Sequence, residues 1–191
     1  MRFPLFIALL FSASAAVAQA DLWSHVSSQG GSQRLQPASL SDSQLKSFAH
    51  LLRQQRPEEI WDCEAADMND LIKGLRFESI AITTQQNVVL AEAPAGCARG
   101  GQGANGAMWV VRFDGDTPVL LATPKEFSGW VFSVGPSSSH GYPDIILGWH
   151  MSGAEANLSY FRFDGKSYHT TGTAKLQSDG DGNQKIVPDP K

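Results

Sequence analysis

Histidines and carboxylates cluster in the C-terminal third of the sequence, and their side chains are the ones that could do chemistry. His140, His150 and His169 lie there together with Asp144 and Glu155. A histidine beside a carboxylate can act as a general base, and about three or four such ligands can hold zinc or copper. The spacing matches no H-E-x-x-H or comparable motif, so we predict no metal and no cofactor. A small secreted hydrolase with dispersed catalytic residues, using His150 or His169 as its base, stays open as an alternative.

A glycine-rich stretch between two predicted strands is a second candidate. The letters of Gly101–Gly106 match G-x-G-x-x-G, but a dinucleotide site needs a helix directly after that motif. The pattern that follows here is that of a strand, so we do not expect a nucleotide site. We interpret Ala93–Gly106 as a surface loop long enough to bind a partner, with Gly103 and Asn105 as predicted contact residues.

Aromatic side chains in the predicted strands are a third candidate. Most of them should lie in the core, but a sheet with only one or two helices packed on it can leave one face open. Aromatic residues on an open face often mark a ligand or protein site, because they combine a large apolar area with a polar group. The residues predicted to bind on that face are Trp149, His150, Tyr160, Arg162 and Tyr168.

Strands must position these residues, because the hydrophobic pattern changes to a period of two after Arg76. The predicted strands are 76–83, 87–92, 107–113, 117–122, 129–134, 144–150, 157–163 and 167–171. Short connections rich in Gly, Pro, Asn and Asp favour antiparallel neighbours. The predicted fold class is therefore mainly β (α+β), with an antiparallel meander of about seven or eight strands. A curled sheet, a sandwich and a partly closed barrel are all compatible with this pattern.

One clear helix and one shorter helix precede the predicted sheet. The first, over 40–53, has Ser41 as its N-cap and Gln44 three residues later, which is the pattern of a capping box. Its apolar residues repeat along one face, and such a face needs a partner surface. The second helix runs from Asp67 to about Gly74. We expect these N-terminal helices to pack on one face of the sheet.

Two similar units share the letters Arg-Phe-Asp-Gly, at 112–115 and at 162–165. The second unit, from Gly141-Tyr-Pro-Asp to Lys166-Ser-Tyr168, resembles a blade segment of the FG-GAP and VCBS type of β-propeller repeat. The resemblance implies a strand–turn–strand arrangement and no function. The aspartate-rich calcium loop of such repeats is replaced by Pro136–His140, so no metal site is implied. Two units also cannot close a propeller, which needs at least about four blades.

The first twenty residues have the three parts of a secretory signal peptide, namely a basic start, an apolar stretch and Ala18-Gln19-Ala20. We therefore predict export to the periplasm or secretion. The predicted organisation is a signal peptide at 1–20, a linker or loose arm at 21–37, a single β-rich domain with N-terminal helices at 38–176, and a polar tail at 177–191. The tail is expected to be disordered or peripheral.

Cys63 and Cys97 are the two cysteines of the chain. In an exported protein an even pair predicts one disulfide, although two buried free thiols are an alternative. A metal pair is less compatible with the sequence, because neither cysteine has the short spacing that zinc sites use.

Charge and hydropathy exclude two classes of partner. The formal net charge is −4 and both signs are scattered along the chain. A nucleic-acid surface needs a basic stripe, so no nucleic-acid partner is predicted. No stretch after the leader is apolar enough to span a bilayer, so no membrane insertion is predicted after signal cleavage.

The resulting functional prediction is an exported, non-enzymatic binding module for a protein or a glycan. It would use a sheet face and the 93–106 loop, and one version is an inhibitor or immunity-type protein. The hydrolase and a structural envelope protein are the alternatives.

Overall fold

The computed structural model describes residues 22–31, 35–55, 68–82, 87–94 and 105–190. Within these ranges the helices are α1 (Asp42–Gln54) and α2 (Met68–Gly74). The strands are β1 (Leu35–Pro37), β2 (Arg76–Ile80), β3 (Asn87–Glu92), β4 (Gly106–Asp114), β5 (Thr117–Ala122), β6 (Ser128–Ser139), β7 (Tyr142–His150), β8 (Glu155–Phe163), β9 (Tyr168–Ser178) and β10 (Gln184–Pro188). The eight strands predicted from the sequence correspond to β2–β9.

The strands form one antiparallel sheet in the order β1-β2-β3-β4-β6-β7-β8-β9-β10, with β5 paired to β4. The chain is therefore mainly β with the predicted meander of sequential neighbours. One edge of β4 is shared by two strands. Its C-terminal half pairs with β5, while Gly106 and Ala107 pair with Gly129 and Ser128 of β6. This short contact is the corner at which the first half of the sheet joins the second.

The two halves of the sheet pack face to face across a common core. That core takes buried residues from both halves, which is possible only if the sheet folds back at the corner. The first half contributes Val88, Leu90, Met108 and Val110, and the second half contributes Ile145, Leu147, Phe161 and Phe163. Of the arrangements left open by the sequence, the structure is thus a strongly curled sheet whose halves bury one another.

The helices cover the outer face of the first half. Phe48 and Leu52 of α1 and Leu71 of α2 pack with Trp109 and Val111 of β4. The start of α1 is fixed by the predicted capping box. The Ser41 side chain accepts a hydrogen bond from the backbone N–H of Gln44, and the Gln44 side chain accepts one from the backbone N–H of Ser41. Local sequence thus sets the helix boundary, and the sheet supplies the partner surface that the helix needs.

Residues 22–31 of the segment predicted to be a linker or loose arm are docked on the outer face of the second half, whereas Leu35–Pro37 form β1. Leu22 and Trp23 are buried there, and the Trp23 ring meets the ring of Tyr160 edge-on at 5.4 Å. Further along, Gly31 forms a parallel bridge with Ser133 of β6. Burial of the Trp23 side chain stabilises this docking, although the segment around it is polar. We call residues 22–31 the N-terminal arm.

The polar tail is also ordered where the structure describes it. Residues Gln184–Pro188 form β10 and pair with β9 as an edge strand. The turn between the two strands is held by Asp179, whose carboxylate accepts hydrogen bonds from the backbone of Asp181 at 3.0 Å and of Asn183 at 2.8 Å. The tail was expected to be disordered or peripheral, and within the described residues these local hydrogen bonds form an ordered hairpin at the edge of the sheet.

Several sequence predictions fall on residues outside the described ranges. These are the signal peptide at 1–20, Cys63, Cys97 and Gly103. The leader, the disulfide and the contact role of Gly103 therefore stay predictions. None of the helices that the structure describes is long and apolar enough to cross a membrane.

Candidate functional site

A stacked pair of aromatic rings, in which Trp130 is half-buried and His150 is exposed, lies on the outer face of the second half of the sheet. Trp130 of β6 pairs with Gly148 of β7. His150 lies two residues after Gly148 along β7, so its side chain is on the same face of the sheet as Trp130. The two rings are 3.8 Å apart between centroids and 14° from parallel. A Cβ on Gly148 would collide with the indole of Trp130, so the missing side chain is what allows the indole to cross the strand and reach His150.

Asn105 forms two hydrogen bonds with the backbone of His150. The backbone N–H of His150 donates to Asn105 Oδ1 at 2.9 Å, and Asn105 Nδ2 donates to the carbonyl of His150 at 3.4 Å. The Asn105 residue is only 2% exposed, so these bonds are sheltered from water and the backbone of His150 is satisfied at the strand end. The sequence predicted Asn105 and His150 as separate contact residues, and the structure brings them together at the base of the 93–106 loop.

The stack forms one wall of an open cleft of about 500 Å³, which lies within the usual size range of small-molecule sites. Its apolar floor is Phe132, Ala156 and Leu176, and its polar lining includes Gln29, Ser152, Ser178 and Gln184. Gln29 and Gly31 come from the N-terminal arm, and Gln184 comes from β10. The N-terminal arm and β10, which the sequence did not predict to be ordered, therefore complete the cleft.

Charged side chains contribute little to this cleft. Glu155 is among its lining residues, but Glu155 Oε1 lies 3.5 Å from Lys175 Nζ and forms an ion pair with it. Ala156 forms part of the cleft floor. Because successive side chains of a strand point to opposite faces, the side chain of the preceding Glu155 points away from that floor. Within the described lining no lysine, arginine or aspartate occurs, so the cleft presents aromatic, amide and hydroxyl groups rather than charges.

A buried carboxylate lies beneath the arm on the same face. Asp144 is 1% exposed and accepts hydrogen bonds from the Tyr160 hydroxyl at 3.0 Å, from Arg162 Nε at 3.2 Å and from Ser139 Oγ at 3.4 Å. Burial, followed by the charge of Asp144, raises the pKa of Tyr160 to about 12. The phenol thus stays protonated as a donor. His25 Nε2 of the arm lies 3.5 Å from the Tyr160 oxygen, so this cluster also touches the docked arm.

The predicted binding surface of five side chains does not exist as one surface. Tyr160 and Tyr168 are 1% and 3% exposed and belong to the core; the Tyr168 hydroxyl donates to the carbonyl of Pro143 at 3.0 Å. Burial raises the pKa of Tyr168. Trp149 is adjacent to His150 along β7 and so points to the opposite face. Arg162 is bound to Asp144. Only His150 of these five lies at the cleft.

A serine, a histidine and an aspartate meet at the β8–β9 turn, but not as a catalytic triad. Ser167 Oγ lies 3.0 Å from His169 Nε2, and Asp164 Oδ2 lies 2.9 Å from the same nitrogen. In a triad the nucleophile and the acid contact opposite ring nitrogens, so that the base can take a proton from one while the other is held. Both groups compete here for one nitrogen. The three side chains therefore stabilise the turn, and their arrangement does not support His169 as a catalytic base.

The same turn gives a pH prediction. Asp164 accepts backbone hydrogen bonds from Ser167 and Lys166, each 2.8 Å long, and these lower its pKa from 3.8 to about 2. The stabilisation of the turn is complete above pH 3.8 and is lost as the pH falls through about 2. In an NMR titration the Asp164 carboxyl carbon and the Lys166 amide should shift together near pH 2. The Asp164→Asn variant assigns the signal, and a midpoint near the ordinary carboxyl value would contradict the prediction.

No family model, curated protein or solved structure matches the chain. The resemblance to FG-GAP and VCBS repeats thus stays a prediction, and function has to be argued from the site itself. In the part of the chain that the structure describes, no group of three or more His, Cys, Asp or Glu residues is placed to hold a metal ion.

Trp130 is the residue of the candidate site that sequence reasoning missed. It was assigned to a strand, but nothing in the sequence paired it with Gly148, since the register of β6 against β7 includes two irregularities, between Val131 and Ser133 and between Val134 and Ser138. A usable signal was present nonetheless. A glycine between Leu147 and Trp149, inside an otherwise apolar strand, often marks the close approach of another group.

Proposed function

We propose that the chain is an exported, non-enzymatic binding module whose ligand lies in the cleft beside the Trp130–His150 stack. The stack is the observation that carries the proposal. Two aromatic rings are held nearly parallel at 3.8 Å, with the imidazole exposed, and two buried neighbours position them. Gly148 makes room for the indole and Asn105 fixes the strand end. Rigid aromatic surface of this kind binds at a small cost in conformational entropy.

The surroundings of the stack support a contact surface larger than the two rings. Met151 follows His150 in the β7–β8 turn and is 59% exposed, and flexible methionine side chains adapt well to a partner. Asn105, which bonds to the backbone of His150, belongs to the 93–106 stretch that the sequence predicted to contact a partner. A protein partner, as for an inhibitor or immunity-type protein, and a glycan both fit such a surface.

The test is the retention of envelope material by the immobilised chain. Extract is separated into protein and polysaccharide fractions, and each is passed over the wild type, Trp130→Ala, His150→Ala and the control Asn157→Ala. Asn157 is exposed on β8 but does not line the cleft. We expect retention by the wild type and the control and its loss in both cleft variants. Equal urea midpoints establish that the variants are folded. Identical retention by all four proteins would contradict the proposal and favour a structural envelope protein.

A hydrolase is the second candidate, since His150 and Glu155 both line the cleft. The ion pair of Glu155 with Lys175 argues against it, because a carboxylate held by lysine is poorly placed to orient a histidine. The decisive assay uses 4-nitrophenyl esters and 4-nitrophenyl glycosides. Turnover that is lost in both His150→Ala and Glu155→Gln would favour the hydrolase, and absence of turnover with intact retention would favour the binding module.

A further inference from the structure

The charge of the cleft limits the chemistry of its ligand. The lining that the structure describes contains no lysine or arginine, and Glu155 is neutralised by Lys175. A phosphate or carboxylate ligand is held best by permanently cationic donors that replace its water, and the described lining has neither lysine nor arginine for this. A strongly cationic ligand would need an uncommitted carboxylate, and the lining provides none of these either. A neutral ligand is the class that enters this cleft without an uncompensated charge.

The polar groups of the cleft match a ligand that both donates and accepts hydrogen bonds. Gln29 and Gln184 flank the cleft from the arm and from β10, and the amide of glutamine carries two donors and one acceptor oxygen. Within the described residues neither amide is bonded to another protein side chain. Ser178 adds a hydroxyl on the same face. Such groups pair with hydroxyls, which also donate and accept.

The flat shape of the stack favours a ligand with a flat apolar face. His150 is exposed, and its ring is backed by the parallel indole of Trp130, so the cleft offers a flat, rigid apolar wall. The C–H face of a pyranose ring fits a flat aromatic surface while its hydroxyls point outward to polar groups. An extended peptide would instead bind mainly through backbone hydrogen bonds at a sheet edge, whereas the stack offers side-chain surface on strands β6 and β7, which are paired with each other there.

Building on the proposed function, we infer that the cleft binds a neutral saccharide, with one sugar ring on His150 and its hydroxyls on Gln29, Gln184 and Ser178. The inference depends on the cleft being the binding site. It adds the ligand class, which the proposed function leaves open between a protein and a glycan.

Isothermal titration calorimetry tests the inference with defined probes. Maltotriose, cellotriose and triacetylchitotriose are the neutral probes, trigalacturonic acid is the anionic probe, and an uncharged hexapeptide is the peptide probe. We expect at least one neutral trisaccharide to bind and the anionic and peptide probes not to bind. His150→Ala should weaken that binding about tenfold, Gln184→Ala should weaken it several-fold, and Asn157→Ala should leave it unchanged.

The outcomes separate the inference from the proposed function. If no neutral trisaccharide binds while the cleft variants still lose envelope material, the saccharide class is wrong and the binding module stands. If the anionic or peptide probe binds instead and His150→Ala abolishes it, the class is again wrong. If a trisaccharide binds equally well to all variants, the cleft is not its site and the inference fails. The proposed function fails as well only if the cleft variants also retain envelope material like the wild type.

Discussion

Replacement of Gly129 by alanine should lower the free energy of unfolding by about 3 kcal/mol or more. Gly129 is buried with φ at +122°, and an added Cβ would collide with the carbonyl oxygen of Gly148. A left-handed backbone disfavours any side chain. The clashing atom belongs to the backbone of β7, so no side-chain rotation relieves it. The β6–β7 ladder would have to separate at the corner where Gly129 pairs with Gly106.

Urea unfolding followed by tryptophan fluorescence measures this effect. The matched control is Gly180→Ala in the β9–β10 turn, where an added Cβ meets nothing within 4 Å. The control should change stability by less than about 0.5 kcal/mol. Equal unfolding midpoints for the two variants would mean that the corner does not have the close packing described here.

Replacement of Asp144 by alanine should cost about 3 kcal/mol of stability. Its carboxylate is 1% exposed and is the shared acceptor for Tyr160 and Arg162. Its removal leaves the buried Tyr160 hydroxyl without its carboxylate acceptor and the half-exposed Arg162 guanidinium without its ion pair. An unsatisfied buried polar group costs more than a surface ion pair contributes. The loss should appear as a lower urea midpoint.

Two variants separate the buried network from ion pairing in general. Asp114→Ala breaks the pair with Arg112, whose atoms are 2.9 Å apart in a turn where the aspartate side chain is 50% exposed, and it should cost less than about 1 kcal/mol. Tyr160→Phe removes only the hydroxyl and should cost about 1.5 kcal/mol. If Asp144→Ala is as mild as Asp114→Ala, the network contributes nothing beyond a surface pair. Arg112 and Arg162 occupy equivalent positions in the repeated Arg-Phe-Asp-Gly letters, so this comparison is closely matched.

The elements that the sequence predicted are those set by neighbours along the chain. The period-two hydrophobic pattern predicted strands β2–β9, and the capping pair Ser41 and Gln44 predicted where α1 begins. The strand β10 and the docked arm were missed because their order depends on contacts with distant residues, such as the bridge between Gly31 and Ser133. Polar composition alone did not reveal those contacts.

The candidate site was predictable only in part, for the same physical reason. Asn105 and His150 could be proposed from residue type and position, but their hydrogen bonds join residues 45 apart in sequence. Tyr160 was proposed as a surface aromatic because a strand pattern does not show which face another layer covers. The stack of Trp130 on His150 depends on strand register, which the irregularities in β6 conceal.

An NMR titration shows whether ligand binds at the Trp130–His150 stack. Labelled chain is titrated with the envelope fraction that the immobilised chain retains, with Trp130→Phe used to assign the Trp130 indole N–H signal. We expect the Trp130 indole signal and the His150 backbone amide to move or broaden first, while the Trp149 indole signal stays in place. Shifts confined to Trp149, to α1 or to the β8–β9 turn would contradict the account.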